Sequence, residues 1–282
     1  MVKMCLCSKV VMASALSDAM RAAAEIGYQA VELFAIENHL MPDDPESKTR
    51  ELKRLLDAIG LELASICAYV GGFGVKDDAA CEAEVEKFKK HVAQAEVLKA
   101  PWIRVNPTYV GYERVPSLDE KKRFAEWAAK CADLAAGAGC GIVLENNLNM
   151  VATLAGTVEV LDLIDRPNVK VSYDPGNIIR ADKDNYGAKA VETLGDRIAI
   201  LQVKQIDMSV TPLDDPKCFV YYDEGDVDYA QIFAAAAKVP AIEYISIECH
   251  KPPGEGMTET DVAAREYELV REHAAQFYGE LA

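Results

Sequence analysis

One pattern restricts the fold of this sequence more than any other: a short apolar run followed by a longer amphipathic segment, repeated eight times. The segments have helical periodicity, as at residues 14–27, 117–139 and 229–239. Strands that alternate with helices are parallel and joined by right-handed crossovers. The apolar runs span residues 3–7, 30–35, 61–70, 101–107, 141–147, 169–175, 198–205 and 244–250.

Eight such units predict an α/β fold, the closed (β/α)8 TIM barrel. Helix-capping residues are found at the predicted helix ends. Ser117 is a candidate N-cap with Glu120 three residues later. Glycines stand where three helices should end, at Gly27, Gly60 and Gly139. A doubly wound open sheet is the rival fold, but no GxGxxG motif follows any run. We find no linker or break in composition, so residues 1–282 are predicted to form a single barrel domain.

Charge and cysteine content narrow the function classes. The formal net charge of −16 disfavours nucleic acid and anionic membranes as partners, since both require basic patches. The eight cysteines are scattered without CxxC pairs, which is typical of buried thiols in a reducing cytosol. No apolar stretch approaches the roughly 18 residues of a membrane span, and the N-terminus does not resemble a signal peptide. We therefore expect a soluble cytoplasmic protein.

Polar side chains recur at the ends of the last four predicted strands. Because alternate strand residues share a face, Glu145, Asp174, Gln202 and Glu248 should all point to the barrel side, just past small or apolar residues. Barrel chemistry takes place at the C-terminal ends of the strands. These four side chains are therefore predicted to converge above the barrel.

Such a cluster needs a counter-charge. Three carboxylates about 4–5 Å apart repel by roughly 3–4 kcal/mol per pair at an effective dielectric of 20. Lys204 can neutralise only one of them, whereas a divalent cation neutralises most of the charge and gives the Gln202 carbonyl a role as fourth ligand. An all-oxygen set favours Mn²⁺ or Mg²⁺ over zinc.

The segments "IVLENN", "VKVSYDPGN", "ILQVKQ" and "ISIECH" resemble the last four strand ends of the xylose isomerase-like TIM barrels. This superfamily includes sugar isomerases, ketose 3-epimerases, hydroxypyruvate isomerases, inosose dehydratases and endonuclease IV. The resemblance implies that Glu145, Asp174 and Glu248 are metal carboxylates and that Glu145 and Glu248 also form the catalytic acid–base pair. It implies one divalent cation, Mn²⁺ first, with Mg²⁺ or Co²⁺ as alternatives, and a possible homo-oligomer.

Three positions depart from the commonest family pattern. Gln202 stands where most members have histidine, although hydroxypyruvate isomerases resemble this sequence in using glutamine. Asn177 occupies the place of a substrate-binding histidine of ketose 3-epimerases, and Met208 stands near the place of their arginine. These differences mean that the sequence is not assigned as a typical ketose 3-epimerase, and the substrate is left open.

A metal flanked by two glutamates suits proton transfer next to a carbonyl group, through an enediolate that the metal stabilises. The expected activity is isomerisation or epimerisation of a ketose or related carbonyl sugar. A dehydratase or lyase of a keto-sugar or keto-inositol is the alternative on the same site. A sugar-binding barrel without activity is a third possibility, and endonuclease IV chemistry is disfavoured by only four histidines and the acidic charge.

Further residues are predicted around the cluster. Lys204 either contacts a substrate oxygen or pairs with a metal-bound carboxylate. Glu32, Arg104 and Asn106 should face inward and hold substrate hydroxyls, although Glu32 and Arg104 would equally form an ion pair with each other. His250 is expected as a residue of the pocket wall.

The sequence also makes predictions for three aromatic residues. Trp102 is predicted to face outward beneath a helix. Tyr69 and Phe73, in the loop after the third run, either form an apolar wall against a sugar ring or make ordinary loop packing contacts.

Overall fold

The predicted barrel is confirmed. The computed structural model describes residues 1–107, 114–147, 149–211, 215–279 and 281, and in it eight parallel strands close into a barrel in chain order. Each strand pairs with its sequence neighbours, and the last strand pairs with the first. The strands are β1 (Lys3–Cys7), β2 (Ala30–Phe34), β3 (Glu62–Cys67), β4 (Trp102–Val105), β5 (Gly141–Glu145), β6 (Val169–Tyr173), β7 (Ile198–Val203) and β8 (Tyr244–Ile247).

Helices follow the strands and cover the outside of the barrel. Ser117 and Glu120 form the predicted capping box, and Gly27 and Gly60 end their helices in the left-handed conformation. The helices are α1 (Leu16–Ile26), α2 (Glu46–Ile59), α3 (Asp78–Leu98), α4 (Leu118–Gly137), α5 (Leu154–Ile164), α6 (Pro175–Ala181), α7 (Ala188–Leu194), α8 (Tyr229–Ala236) and α9 (Glu259–Tyr278).

The strands are shorter than the apolar runs that predicted them, mainly at their C-terminal ends. The third run covers 61–70, yet β3 ends at Cys67. The seventh run covers 198–205, and β7 ends at Val203, so Lys204 lies past the strand. Past these strand ends Ala68, Val70, Lys204 and Gln205 remain buried, whereas Tyr69 is exposed.

The bottom of the barrel is filled by a small apolar cluster, and Trp102 belongs to it. The outward placement of Trp102 was wrong, because Trp102 lies two residues before the inward-facing Arg104 on β4 and shares its face. A Cβ atom at its neighbour Gly141 would lie 2.4 Å from the Trp102 ring. The indole thus packs against this cluster inside the barrel.

All eight cysteines are buried and carry free thiols, as their scattered spacing indicated. In the part of the chain that the structure describes, no helix is both long enough and apolar enough to cross a membrane.

Glu266 on α9 is buried against the barrel and gives the fold a pH dependence. Its Oε1 accepts a hydrogen bond from Tyr222 N at 3.1 Å and lies 3.6 Å from Arg265 Nη1. Burial outweighs these contacts and raises the pKa of Glu266 to about 7. The native state then holds a proton that the unfolded chain releases, so unfolding free energy should fall as pH rises from about 4.5 to 7.

The variant E266Q removes this titration and keeps an acceptor for Tyr222. We expect it to be more stable than wild type at pH 8 by up to about 3 kcal/mol, and close to wild type at pH 5. Urea unfolding at both pH values measures the difference, with the exposed neighbour Glu268 changed to glutamine as control. Equal stability of E266Q and wild type at pH 8 would contradict the assignment.

Candidate metal centre

Three carboxylates meet at the mouth of the barrel. Glu145 is the last residue of β5, Asp174 follows β6 directly, and Glu248 follows β8 directly. Each offers an oxygen that lies within 4.8 Å of the oxygens of the other two, and all three side chains are buried. The convergence expected from strand alternation is therefore present for these three residues.

Lys204 lies between two of these acids. Its Nζ is 2.5 Å from Asp174 Oδ2 and 2.9 Å from Glu248 Oε2. Of the two predicted alternatives for Lys204, the structure contains the ion pair. Burial alone would lower the pKa of Lys204, but the facing carboxylates raise it above its ordinary value, so the ammonium is charged.

The two acids that share Lys204 differ in their proton affinity. Burial raises the pKa of Asp174, and the neighbouring carboxylates add to the effect against the attraction of Lys204. Burial also acts on Glu248, but Lys204 and His250 outweigh it and hold the pKa of Glu248 well below its usual range. Of the two acids, Asp174 is therefore the one that loses its proton less readily.

Arg104 makes its ion pair with Glu145. Its Nη1 lies 2.5 Å from Glu145 Oε2, and its guanidinium lies over the rings of Phe34 and Tyr69 at 4.7 and 5.5 Å from their centroids. The alternative pairing of Arg104 with Glu32 is therefore not what the fold forms. Asn177 Nδ2 donates to the other oxygen of Glu145 at 3.2 Å, so that carboxylate is held on both sides.

Gln202 presents an unpartnered oxygen. Its Nε2 donates to Glu32 Oε2 at 3.1 Å, while its Oε1 is buried and has no hydrogen-bond partner among the described residues. A buried acceptor left unsatisfied costs on the order of 1–3 kcal/mol. Three convergent carboxylates and a buried, unpartnered carbonyl oxygen on the strand between two of them are oxygen donors of the kind that a hard cation binds, so the donor set fits a divalent metal.

The buried cluster contains more acidic than basic side chains, which also suits a divalent cation. Its fourth acid is Glu32, whose pKa is raised by burial, although hydrogen bonds from Ser65 and Gln202 act to lower it. With every acid ionised, the carboxylates exceed the cations by the charge of one divalent ion. The four carboxylates are Glu32, Glu145, Asp174 and Glu248, and the two cations are Arg104 and Lys204.

Two further predicted residues lie at the edge of the cluster. His250 Nε2 is 3.4 Å from Glu248 Oε1, and its ring packs on Phe219 with 4.6 Å between centroids, as expected for a residue of the pocket wall. Asn106 follows β4, and its Nδ2 donates to Ala68 O at 3.5 Å. Asn106 therefore binds the loop after β3 within the described contacts.

An apolar wall on the β1–β3 side was missed by the sequence analysis. Cys7, Phe34 and Cys67 pack together there, and Cys7 Sγ donates to Glu248 Oε1 at 3.8 Å. The available signal was the two-residue spacing that puts Phe34 on the same face as Glu32.

Tyr69 and Phe73 have different roles. Phe73 is fully buried and packs against Phe124 and Trp127 at 6.1 and 6.2 Å between ring centroids, which is ordinary loop packing. Tyr69 is 43% exposed and meets Phe34 edge-on at 5.9 Å. Tyr69 therefore extends the apolar wall toward solvent.

The chain is similar to known families of barrel proteins. The family model described as xylose isomerase-like TIM barrel matches residues 20–273. A 3-dehydroshikimate dehydratase of Bacillus anthracis is 27% identical over 164 residues, which are 56% of this chain and 55% of that protein. The match thus spans about half the length of that relative.

Solved structures with the same fold cover nearly the whole chain. The IolI protein with a bound zinc atom superposes with a TM-score of 0.85 at 16% identity, over 99% of this chain and 100% of the other. A D-allulose 3-epimerase from Methylomonas sp. gives 0.77 at 20% identity, over 96% and 98%. The probable 3-DHS dehydratase AsbF of Bacillus anthracis gives 0.76 at 22% identity, over 96% and 99%. These likenesses show the fold.

Proposed function

Because this chain belongs to the xylose isomerase-like TIM barrel family, we propose that it is a divalent-metal-dependent isomerase or epimerase of a carbonyl sugar. The observation that carries the proposal is the buried convergence of Glu145, Asp174 and Glu248 within 4.8 Å. Glu145 and Glu248 come from the outer two of four consecutive strands, with Asp174 and Gln202 between them. Two glutamates on opposite flanks suit proton removal and proton return.

Glu145, Asp174, Gln202 and Glu248 would hold the cation. A divalent ion there would supply positive charge beside the substrate oxygens, where negative charge develops when a proton leaves the adjacent carbon. The oxygen donor set favours Mn²⁺, with Mg²⁺ or Co²⁺ as alternatives. The zinc in the IolI structure supports a divalent ion at this fold.

In this proposal Glu145 and Glu248 move the protons at their Oε atoms. Arg104 and Asn177 hold Glu145 in place, and Lys204 and His250 do the same for Glu248. Fixed carboxylates keep the proton-accepting atom aligned with the substrate carbon and lose little entropy on reaction.

The substrate would lie against the residues at the rim of the cluster. We propose contacts from six of them, in which the basic side chains share their donors between the carboxylates and the substrate oxygens, and Glu32 accepts from a substrate hydroxyl. The six are Glu32, Arg104, Asn106, Asn177, Lys204 and His250.

A dehydratase is the second candidate. The curated relative at 27% identity is a 3-dehydroshikimate dehydratase, and loss of a proton next to a carbonyl group also initiates elimination of a β-hydroxyl. The same residues would then remove the proton and protonate the leaving oxygen.

One experiment tests the proposal and separates the two candidates. The purified protein is analysed for bound metal and then incubated in D₂O with a panel of ketoses and cyclic hydroxyketones, with and without added Mn²⁺. Deuterium uptake next to the carbonyl group without loss of water supports the isomerase or epimerase, and loss of water supports the dehydratase. No bound metal and no exchange with any substrate would contradict both candidates.

A further inference from the structure

Glu32 is a buried carboxylate outside the acidic triad, and it is held by hydrogen-bond donors. Ser65 Oγ donates to Glu32 Oε1 at 2.8 Å, and Cys67 Sγ lies 3.7 Å from the same oxygen. Gln202 Nε2 donates to the other oxygen at 3.1 Å. Glu32 therefore sits as a fixed acceptor across the barrel from β7.

This contact decides how the Gln202 amide is oriented. The amide has an NH₂ end that donates and a carbonyl end that accepts, whereas an ionised carboxylate only accepts. In the structure the NH₂ end faces Glu32, which leaves Oε1 as the end that is turned away from it. Oε1 is buried without a hydrogen-bond partner among the described residues.

The position of Gln202 in the sheet puts it next to the strands that lead into the metal cluster. Gln202 pairs with Ser246 on β8, and Glu248 N donates to Val203 O at 2.9 Å. The strand on the other side, β6, leads directly into Asp174. Gln202 thus lies between the strands that carry two of the three carboxylates.

We propose that Glu32 is a positioning residue that orients the Gln202 amide so that its carbonyl oxygen binds the divalent cation. This inference rests on the proposed function. It assigns Glu32 a role in metal binding that differs from contact with a substrate hydroxyl. Carboxylates that orient metal-bound histidines act in the same way, and their loss typically weakens metal affinity by about 10–100-fold.

A double-mutant comparison separates this role from a general charge effect. E32Q keeps the size of the side chain, but its amide can present either an NH₂ donor or a carbonyl acceptor to Gln202. Position 32 then no longer fixes the orientation of the Gln202 amide. We measure the Mn²⁺ dissociation constant by electron paramagnetic resonance for wild type, E32Q, Q202A and the double variant. E32Q should weaken Mn²⁺ binding by about 10-fold or more in the wild-type background and by less than about 3-fold in the Q202A background.

S65A is the matched control, because it removes the other short hydrogen bond to Glu32 and leaves its contact with Gln202. Its Mn²⁺ affinity should remain near that of wild type. If S65A weakens binding as much as E32Q does, Glu32 acts by bracing β2 against β3, and the proposal is overturned.

Three other outcomes of the Mn²⁺ measurements would also overturn the proposal. Equal losses from E32Q in both backgrounds show that Glu32 acts through its charge alone and overturn the proposal. Wild-type affinity in E32Q also overturns it while leaving the proposed function intact. A wild-type protein that binds no divalent cation overturns the proposed function together with this inference.

A spectroscopic measurement adds an independent test. The imidazole introduced by Q202H can donate a hydrogen bond to Glu32 from the N–H of one ring nitrogen and offer the lone pair of the other to a metal. The visible spectrum of bound Co²⁺ should change in Q202H and return toward that of Q202A when E32Q is added. An unchanged Q202H spectrum on adding E32Q would contradict the orienting role.

Discussion

Replacement of either Glu145 or Glu248 with glutamine is expected to lower turnover by about 10³-fold or more. Glutamine keeps the shape and an oxygen ligand but cannot accept or return a proton, and general acid–base groups typically contribute roughly 10²–10⁴-fold. Both side chains are buried beside cations, so water cannot readily take over their function. Solvent deuterium exchange at saturating Mn²⁺ measures the loss.

The control for these variants is E62Q. Glu62 lies at the start of β3, at the opposite end of the barrel, where it pairs with Lys3 on the surface. Its substitution should leave exchange unchanged, and circular dichroism should show that all three variants are folded. Full activity in both E145Q and E248Q would refute the assigned roles.

Replacement of Lys204 with methionine is expected to destabilise the metal-free protein by about 3–5 kcal/mol. Lys204 is the buried counter-charge that contacts both Asp174 and Glu248. Its loss leaves two neighbouring carboxylates unpaired in the interior, which is the costly case for a buried ion pair. Urea unfolding in the presence of a chelator measures the change.

Mn²⁺ should restore part of the stability of K204M. A divalent cation among the same carboxylates supplies the charge that the lysine provided, and a ligand that binds only the native state stabilises it. The surface variant K238M serves as control and should unfold like wild type. A K204M protein as stable as wild type in chelator would contradict the electrostatic account of the cluster.

The eight-stranded barrel could be predicted because each of its signals is local. Hydrophobic runs, helical periodicity and the Ser117–Glu120 capping box depend only on neighbouring residues. The period-two alternation of strands also pointed Glu145, Asp174 and Glu248 to one side, and the structure brings their oxygens together. Their roles in metal binding and proton transfer are predictions for the experiments above.

Other contacts were not predictable, because they join strands that are distant in sequence. Arg104 pairs with Glu145 rather than Glu32, and this choice depends on side-chain reach across the closed barrel. Gln202 contacts Glu32 across 170 positions of sequence. The misplacement of Trp102 was of a different kind, because its two-residue spacing from Arg104 already puts both side chains on the inner face.

Local patterning thus determined the architecture and the end of the barrel that carries the polar cluster, since both follow from side-chain periodicity along single strands. Closure of the sheet decided which donor meets which acceptor. Partner choice depends on distances between strands that are fixed only when β8 pairs with β1. Buried charges magnify small differences in those distances, because water no longer screens them.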